Sequence, residues 1–184
     1  MSEINYGPLT QLIGVWKGDK GKDIAPEPDG SEEDNAYFET ITVEPIGDVS
    51  NADAQTLAVL HYCQIVQRKQ TGVVFHHQTG YWSWDAATGV VTHSFSIPRG
   101  VTVVACGKAK VEADSTVIEV DTTENPDSGG IAQSPFMQKS AKTTSFSQTL
   151  SIQGDLLRYQ QMMVLDIYGK IFNHSDVNEL KKCL

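Results

Sequence analysis

The sequence predicts an all-β fold, an antiparallel up-and-down β-barrel of about ten strands with short helical turns. Three observations carry this. Apolar and β-branched runs of strand length recur along the chain, each closed by Gly, Pro, Asn or Asp. No 3.6-residue periodicity persists beyond about three turns, and there is no strand–helix–strand rhythm. The runs follow one another through short connections, which favours neighbours pairing in sequence order, and closing the sheet removes its exposed edges. A barrel with more than the roughly eight strands whose side chains just fill the interior encloses a cavity.

The elements follow in order. Pro8 to Ile13 reads as one or two helical turns before Gly14. Gly14-Val15-Trp16-Lys17-Gly18-Asp19-Lys20-Gly21 is a short strand carrying a Gly-flanked Trp, which reads first as packing volume at one end of a β-structure. Residues 22–35 hold prolines, a glycine and a run of acids, and read as a surface loop able to lie over a cavity mouth. Strands are expected over 37–46, 55–68, 75–85, 89–97, 101–111, 115–122, 142–152 and 156–168, with Gly154-Asp155 as a tight hairpin turn. Residues 125–141 read as an irregular insertion with a helical turn around Phe136 to Lys139.

Composition narrows the classes. A length of 184 residues implies one domain spanning 1–184, large enough to bury a core or enclose a cavity. A hydrophobic share of 40% with 20% charged residues fits a soluble globular chain. The net charge of −9, with no Lys/Arg cluster beyond Lys181-Lys182, argues against nucleic acid. No apolar run approaches the ~20 residues needed to cross a bilayer, and the N-terminus lacks the basic and apolar regions of a signal peptide. Cys63, Cys106 and Cys183 have no CxxC spacing and read as free thiols in a reducing cytosol, which makes the expected location cytoplasmic.

The aromatic strand from Phe75 to Asp85 is the candidate pocket wall. Alternation places His76, Gln78, Gly80, Trp82 and Trp84 on one face and Phe75, His77, Thr79 and Tyr81 on the other. Adjacent His76 and His77 cannot share a face without a bulge, and the sequence leaves open which of them points inward. His93 lies on an apolar face with Val91, Phe95 and Ile97, where a backbone-bonded core histidine and a ligand are both tenable. His61 shares a face with Leu57, Val59, Cys63 and Ile65 and reads more strongly as core. Leu157, Tyr159, Gln161, Met163, Leu165 and Ile167 form one face of a long strand. His174 follows at its exit, with Ser175 or Asp176 capping a short turn toward Leu180. No nucleophile elbow, P-loop, GxGxxG, HExxH or EF-hand pattern is present. Asp and Glu fall mostly in loops, with no pair on one apolar face, so the residues alone point to a barrel that binds something rather than to a hydrolase or transferase.

Four segments, in order, resemble the nitrobindins, haem-binding barrels of the lipocalin and fatty-acid-binding-protein style also found at the C-terminus of a THAP-domain protein. Gly14-x-Trp16-x-Gly18 resembles their GxWxGxG signature, and Glu39-Thr40-Ile41 through Gly47 their second strand and turn. His76-x-Gln78-x-Gly80-Tyr81 resembles their His-x-Glu-x-Gly-Tyr segment. Leu157-x-Tyr159 with Met162-Met163, followed by a His before a Leu-rich end, resembles the C-terminal strand that delivers the axial histidine. The third signature glycine is Lys20 here, residues 22–35 replace the segment that follows it, Gln78 stands for Glu, and Ser175-Asp176 follows the His. The pattern is that of a divergent bacterial branch.

The resemblance implies haem b, with His174 as axial ligand to the iron and His76 across the pocket. Gly14, Trp16, Gly18, His77, His93 and Met163 complete the expected cofactor-binding set. It also implies nitric oxide binding or, if the protein is an enzyme, haem-dependent isomerisation of peroxynitrite to nitrate. The other readings are a carrier of a small apolar molecule without haem and a filled barrel whose 22–35 loop recruits a partner. Membrane and nucleic acid are not expected partners, and a homodimer is left open.

Overall fold

The structure is a computed structural model that describes residues 4–52, 54–122 and 129–183. Eleven strands form one antiparallel sheet: β1 (Gly14–Pro26), β2 (Glu32–Ala52), β3 (Gln55–Arg68), β4 (Val74–Asp85), β5 (Val90–Ile97), β6 (Val101–Val111), β7 (Ser115–Asp121), β8 (Gly129–Gln133), β9 (Ala141–Gln153), β10 (Leu156–Ile167) and β11 (Lys170–Cys183). A six-residue helix, α1 (Pro135–Ser140), lies between β8 and β9, and a 3-10 helix spans Gly7–Leu12. Ten strands close the ring in the order β1-β2-β3-β4-β5-β6-β7-β9-β10-β11, with β11 returning to β1. No helix among the described residues is long and apolar enough to cross a membrane.

β8 extends the line of β7. Against β6, Cys106 pairs with Asp121 and the next residue, Ala105, pairs with Gly129. Along β6, the partner therefore passes from Asp121 directly to Gly129. Gly129 has φ +110°, and a Cβ there would lie 1.8 Å from the Val104 carbonyl oxygen, so this position requires glycine. Of the segment expected to be an irregular insertion, 125–128 lies outside the described residues, and the remainder is β8 and α1.

Two strands run longer than their sequence suggests. β1 continues through Pro26 and β2 begins at Glu32, paired from Gly14↔Val43 to Pro26↔Glu32, so the loop expected over 22–35 shrinks to the turn at 27–31. The acids there sit on strands because every second side chain of the pair faces solvent. β11 occupies the region expected to be an exit and a short turn. It pairs with β10 from Ile167↔Lys170 to Leu156↔Lys181, placing His174 inside a strand.

The 3-10 helix closes one end of the barrel, where Leu9 and Leu12 are fully buried. Trp16 has no exposed surface and its indole N–H donates to the Leu12 carbonyl at 2.7 Å, while the Lys182 ammonium reaches the Gln11 carbonyl and lies 5.0 Å from the Trp16 ring. Trp16→Ala is expected to cost about 3–5 kcal/mol of stability by emptying that plug. Urea unfolding reads this directly, and a loss below about 1 kcal/mol would contradict it.

Candidate functional site

The end opposite the Trp16 plug carries the inward-facing titratable groups. Alternation along β11 turns Phe172, His174, Asp176, Asn178 and Leu180 to the interior. On β4 the inward set is His76, Gln78, Gly80 and Trp82, with Gln78 and Trp82 buried. His76 is thus the inward member of its pair. His77 is exposed on the outer surface, with its Nε2 3.6 Å from the Cys63 thiol, so it is not a pocket residue. Met163 pairs with His174 in the β10–β11 register and is partly buried.

His174 donates its Nε2–H to Asp23 Oδ1 at 2.5 Å. Asp23 is itself buried and its Oδ2 accepts from Asn35 Nδ2 at 3.3 Å, while Arg68 donates to Asn35 Oδ1. Burial works against a charged His174, but the Asp23 hydrogen bond and charge outweigh it, and its pKa is raised. His76 moves the other way: burial lowers its pKa more than its hydrogen bond with Gln78 raises it, which favours the neutral imidazole.

Below these histidines lies a buried polar cluster. Glu39 is 2% exposed, and its carboxylate accepts from Gln64 Nε2, Asn178 Nδ2 and the Tyr159 hydroxyl. The Tyr159 and Tyr37 hydroxyls lie 2.9 Å apart, and Tyr37 bonds Asp176. Gln161 Nε2 donates to Asp176 Oδ2 at 3.3 Å. Three contacts thus link Asp176, Tyr37, Tyr159 and Glu39 in series and need three protons. The two tyrosines supply two, so one carboxyl proton is held by the Glu39–Asp176 pair. Burial first, and then mutual or neighbouring carboxylate charge, raises each of these acids to about 7. The pair corrects the sequence-based view that no two acids share an apolar face. Glu39 alternates with Tyr37, Ile41 and Val43, and that alternation was the available signal.

Gly18 and Gly21 make room for this cluster. A Cβ on Gly18 would meet Asn178 Nδ2 at 3.0 Å and Leu180 Cγ at 2.9 Å, and one on Gly21 would enter the Tyr37 ring. Gly14 and Trp16 lie at the closed end, away from His174, so Gly14, Trp16 and Gly18 are corrected from cofactor contacts to framework. His93 is corrected likewise. It is 1% exposed, stacks on Trp82 at 3.9 Å and shares a hydrogen bond with the Tyr62 hydroxyl at 2.7 Å through Nε2. Burial pushes its pKa down to about 3, as expected of a neutral core imidazole.

The donor set at the end opposite the plug, two inward imidazoles with a thioether beside one of them, fits a haem iron and an axial ligand. A family model described as the THAP4-like, heme-binding beta-barrel domain matches residues 5–182. The chain belongs to that family. Among solved structures, the crystal structure of Rv2717c from M. tuberculosis is similar at 22% identity over 96% of this chain and 95% of that chain, with a TM-score of 0.70, which shows the barrel fold. A protein of unknown function from the DUF3598 family of Nostoc punctiforme aligns at 10% identity over 99% of this chain and 100% of that chain. Its TM-score of 0.24 carries no argument. A search among curated proteins finds no match.

Proposed function

We propose that the chain binds haem b at the open end of the barrel through His174, with His76 on the facing side and Met163 beside the ligand. Family membership supports haem as the ligand class, and the observation that carries the residue assignment is that His174 and His76 both face inward at one end. His93 is sealed in the core, and His61 and His77 engage Thr79 and Cys63 away from the pocket face. When bound, the iron supplies a Lewis-acid centre able to take nitric oxide or a peroxynitrite oxygen. His174 would hold the metal, and the neutral His76 imidazole would offer a hydrogen bond to a small ligand. Peroxynitrite isomerisation to nitrate is the reaction this arrangement suits.

A fatty-acid carrier is disfavoured by charge. Asp23, Asp176 and Glu39 present carboxyl groups to the interior, whereas Arg158 points outward to Glu179 and Arg68 engages Asn35. A carboxylate headgroup would meet like charge there. Titrating the purified chain with haemin tests the proposal. A saturable, shifted Soret band at one equivalent is the expected result, and a band indistinguishable from free haemin would overturn it.

A further inference from the structure

The segment in which this chain departs from the nitrobindin pattern also supplies the side chain that holds His174, Asp23, and the residue that holds Asp23 in turn, Asn35. Asp23 and Asn35 stand near its two ends, and β1–β2 pairing places them directly opposite one another, Asp23↔Asn35. β1–β11 pairing brings Asp23 beside Asp176, with His174 two residues further along on the same inward face. Arg68 on β3 holds Asn35, Asn35 holds Asp23 Oδ2, and Asp23 Oδ1 holds His174 Nε2. Three strands, β3, β2 and β1, are thus linked in series to one imidazole nitrogen on a fourth, β11.

Nε2 is the tip nitrogen of histidine, the atom farthest from its strand and the more accessible to a planar ligand. Nδ1 lies next to the backbone. In a metal-bound histidine the carboxylate partner ordinarily sits on the nitrogen the metal does not use, where it orients the ring. Here the carboxylate sits on the tip.

We propose that Asp23 is an internal competitor for His174, and that the Arg68–Asn35–Asp23 chain sets how tightly the barrel holds haem. The proposal rests on the haem reading above. Haem ligation through Nε2 breaks the Asp23 contact, and the energy of that charge-assisted hydrogen bond is subtracted from the binding energy. Asp23 is therefore a positioning residue that keeps the affinity below what the imidazole alone would give, which suits a site that exchanges its haem.

The test compares wild type with Asp23→Ala, Asp23→Asn and Asn35→Ala in haemin titrations of the full chain. Asp23→Ala is expected to tighten binding by about tenfold or more, Asp23→Asn by less, and Asn35→Ala by a smaller factor in the same direction. A second reading uses no haem. Diethyl pyrocarbonate modifies unprotonated imidazole nitrogen, and peptide mapping by mass spectrometry should show His174 reacting several-fold faster in folded Asp23→Ala than in wild type. Should Asp23→Ala misfold, Asp23→Asn and Asn35→Ala carry the same comparison. A wild-type chain that binds haemin, with variants that bind it no more tightly, overturns the competitor role. So does an unchanged carbethoxylation rate. If neither wild type nor Asp23→Ala gives a saturable Soret band, the haem reading itself fails and the competitor role falls with it.

Discussion

Replacing His174 by alanine is expected to abolish saturable haem binding, lowering affinity by at least about 100-fold, while His76→Ala costs about tenfold or less. The asymmetry follows from the surroundings. His174 lies within β11, paired with Met163 in a β10–β11 register that runs unbroken from Ile167↔Lys170 to Leu156↔Lys181. An axial bond needs that fixed origin. His76 sits next to a register irregularity, since β4 pairs regularly up to Val66↔His76 and resumes at Gln67↔Val74. A residue beside a bulge is better suited to hydrogen-bond a ligand than to anchor an iron. Free imidazole added to His174→Ala should restore a shifted Soret band, because the substitution leaves room where the ring stood. Retained haem binding in His174→Ala, with His76→Ala abolishing it, would exchange the roles of the two residues.

What could be read from the sequence, and what could not, divides along the inward face. β3 and β6 begin and end where the sequence places them, because their inward residues, from Leu60 and Tyr62 to Val101 and Val103, are apolar enough to make the alternation plain. The tryptophan at position 16 reads as packing, and it is the plug of the closed end. β11 was hidden because three of its five central inward residues, His174, Asp176 and Asn178, are polar. They are satisfied inside the barrel by Asp23, Gln161, Tyr37 and Glu39 on other strands, so the strand carries no hydrophobic signature. The acidic stretch from Lys22 to Asn35 misleads for the related reason that Asp23 and Asn35 are buried through partners far away in sequence. β7 and β8 are two pieces of one ladder position, a continuity that only the pairing with β6 reveals. In each case the missing information is a long-range polar contact.

Glu39 is where such a contact carries the largest stability consequence. Glu39→Ala should destabilise the barrel by roughly 3–5 kcal/mol, since the Gln64, Asn178 and Tyr159 donors lose their acceptor in a site closed to water. Glu39→Gln keeps the shape and removes the charge, so its effect depends on pH. With a pKa raised to about 7 against an unfolded value of about 4.3, the folded state binds the proton more tightly. The stability it contributes is fully present below the unfolded value and is lost as pH rises through about 7. The loss is on the order of 3 kcal/mol across that window for one shared proton. Asp176, raised to about 7 as well, titrates with it as a pair. His93 works in the opposite direction: its depressed pKa makes stability fall as pH drops below the unfolded histidine value, so the wild-type profile alone mixes the two signs. The difference between wild type and Glu39→Gln isolates the carboxyl. Urea unfolding at pH 5 and pH 8 should find the variant gaining on wild type by about 2–3 kcal/mol between the two, because only the wild type loses stability as the carboxyl ionises. A constant gap across that range would mean that Glu39 ionises in the folded barrel as it does in water, and the proton count along Asp176, Tyr37, Tyr159 and Glu39 would then be wrong.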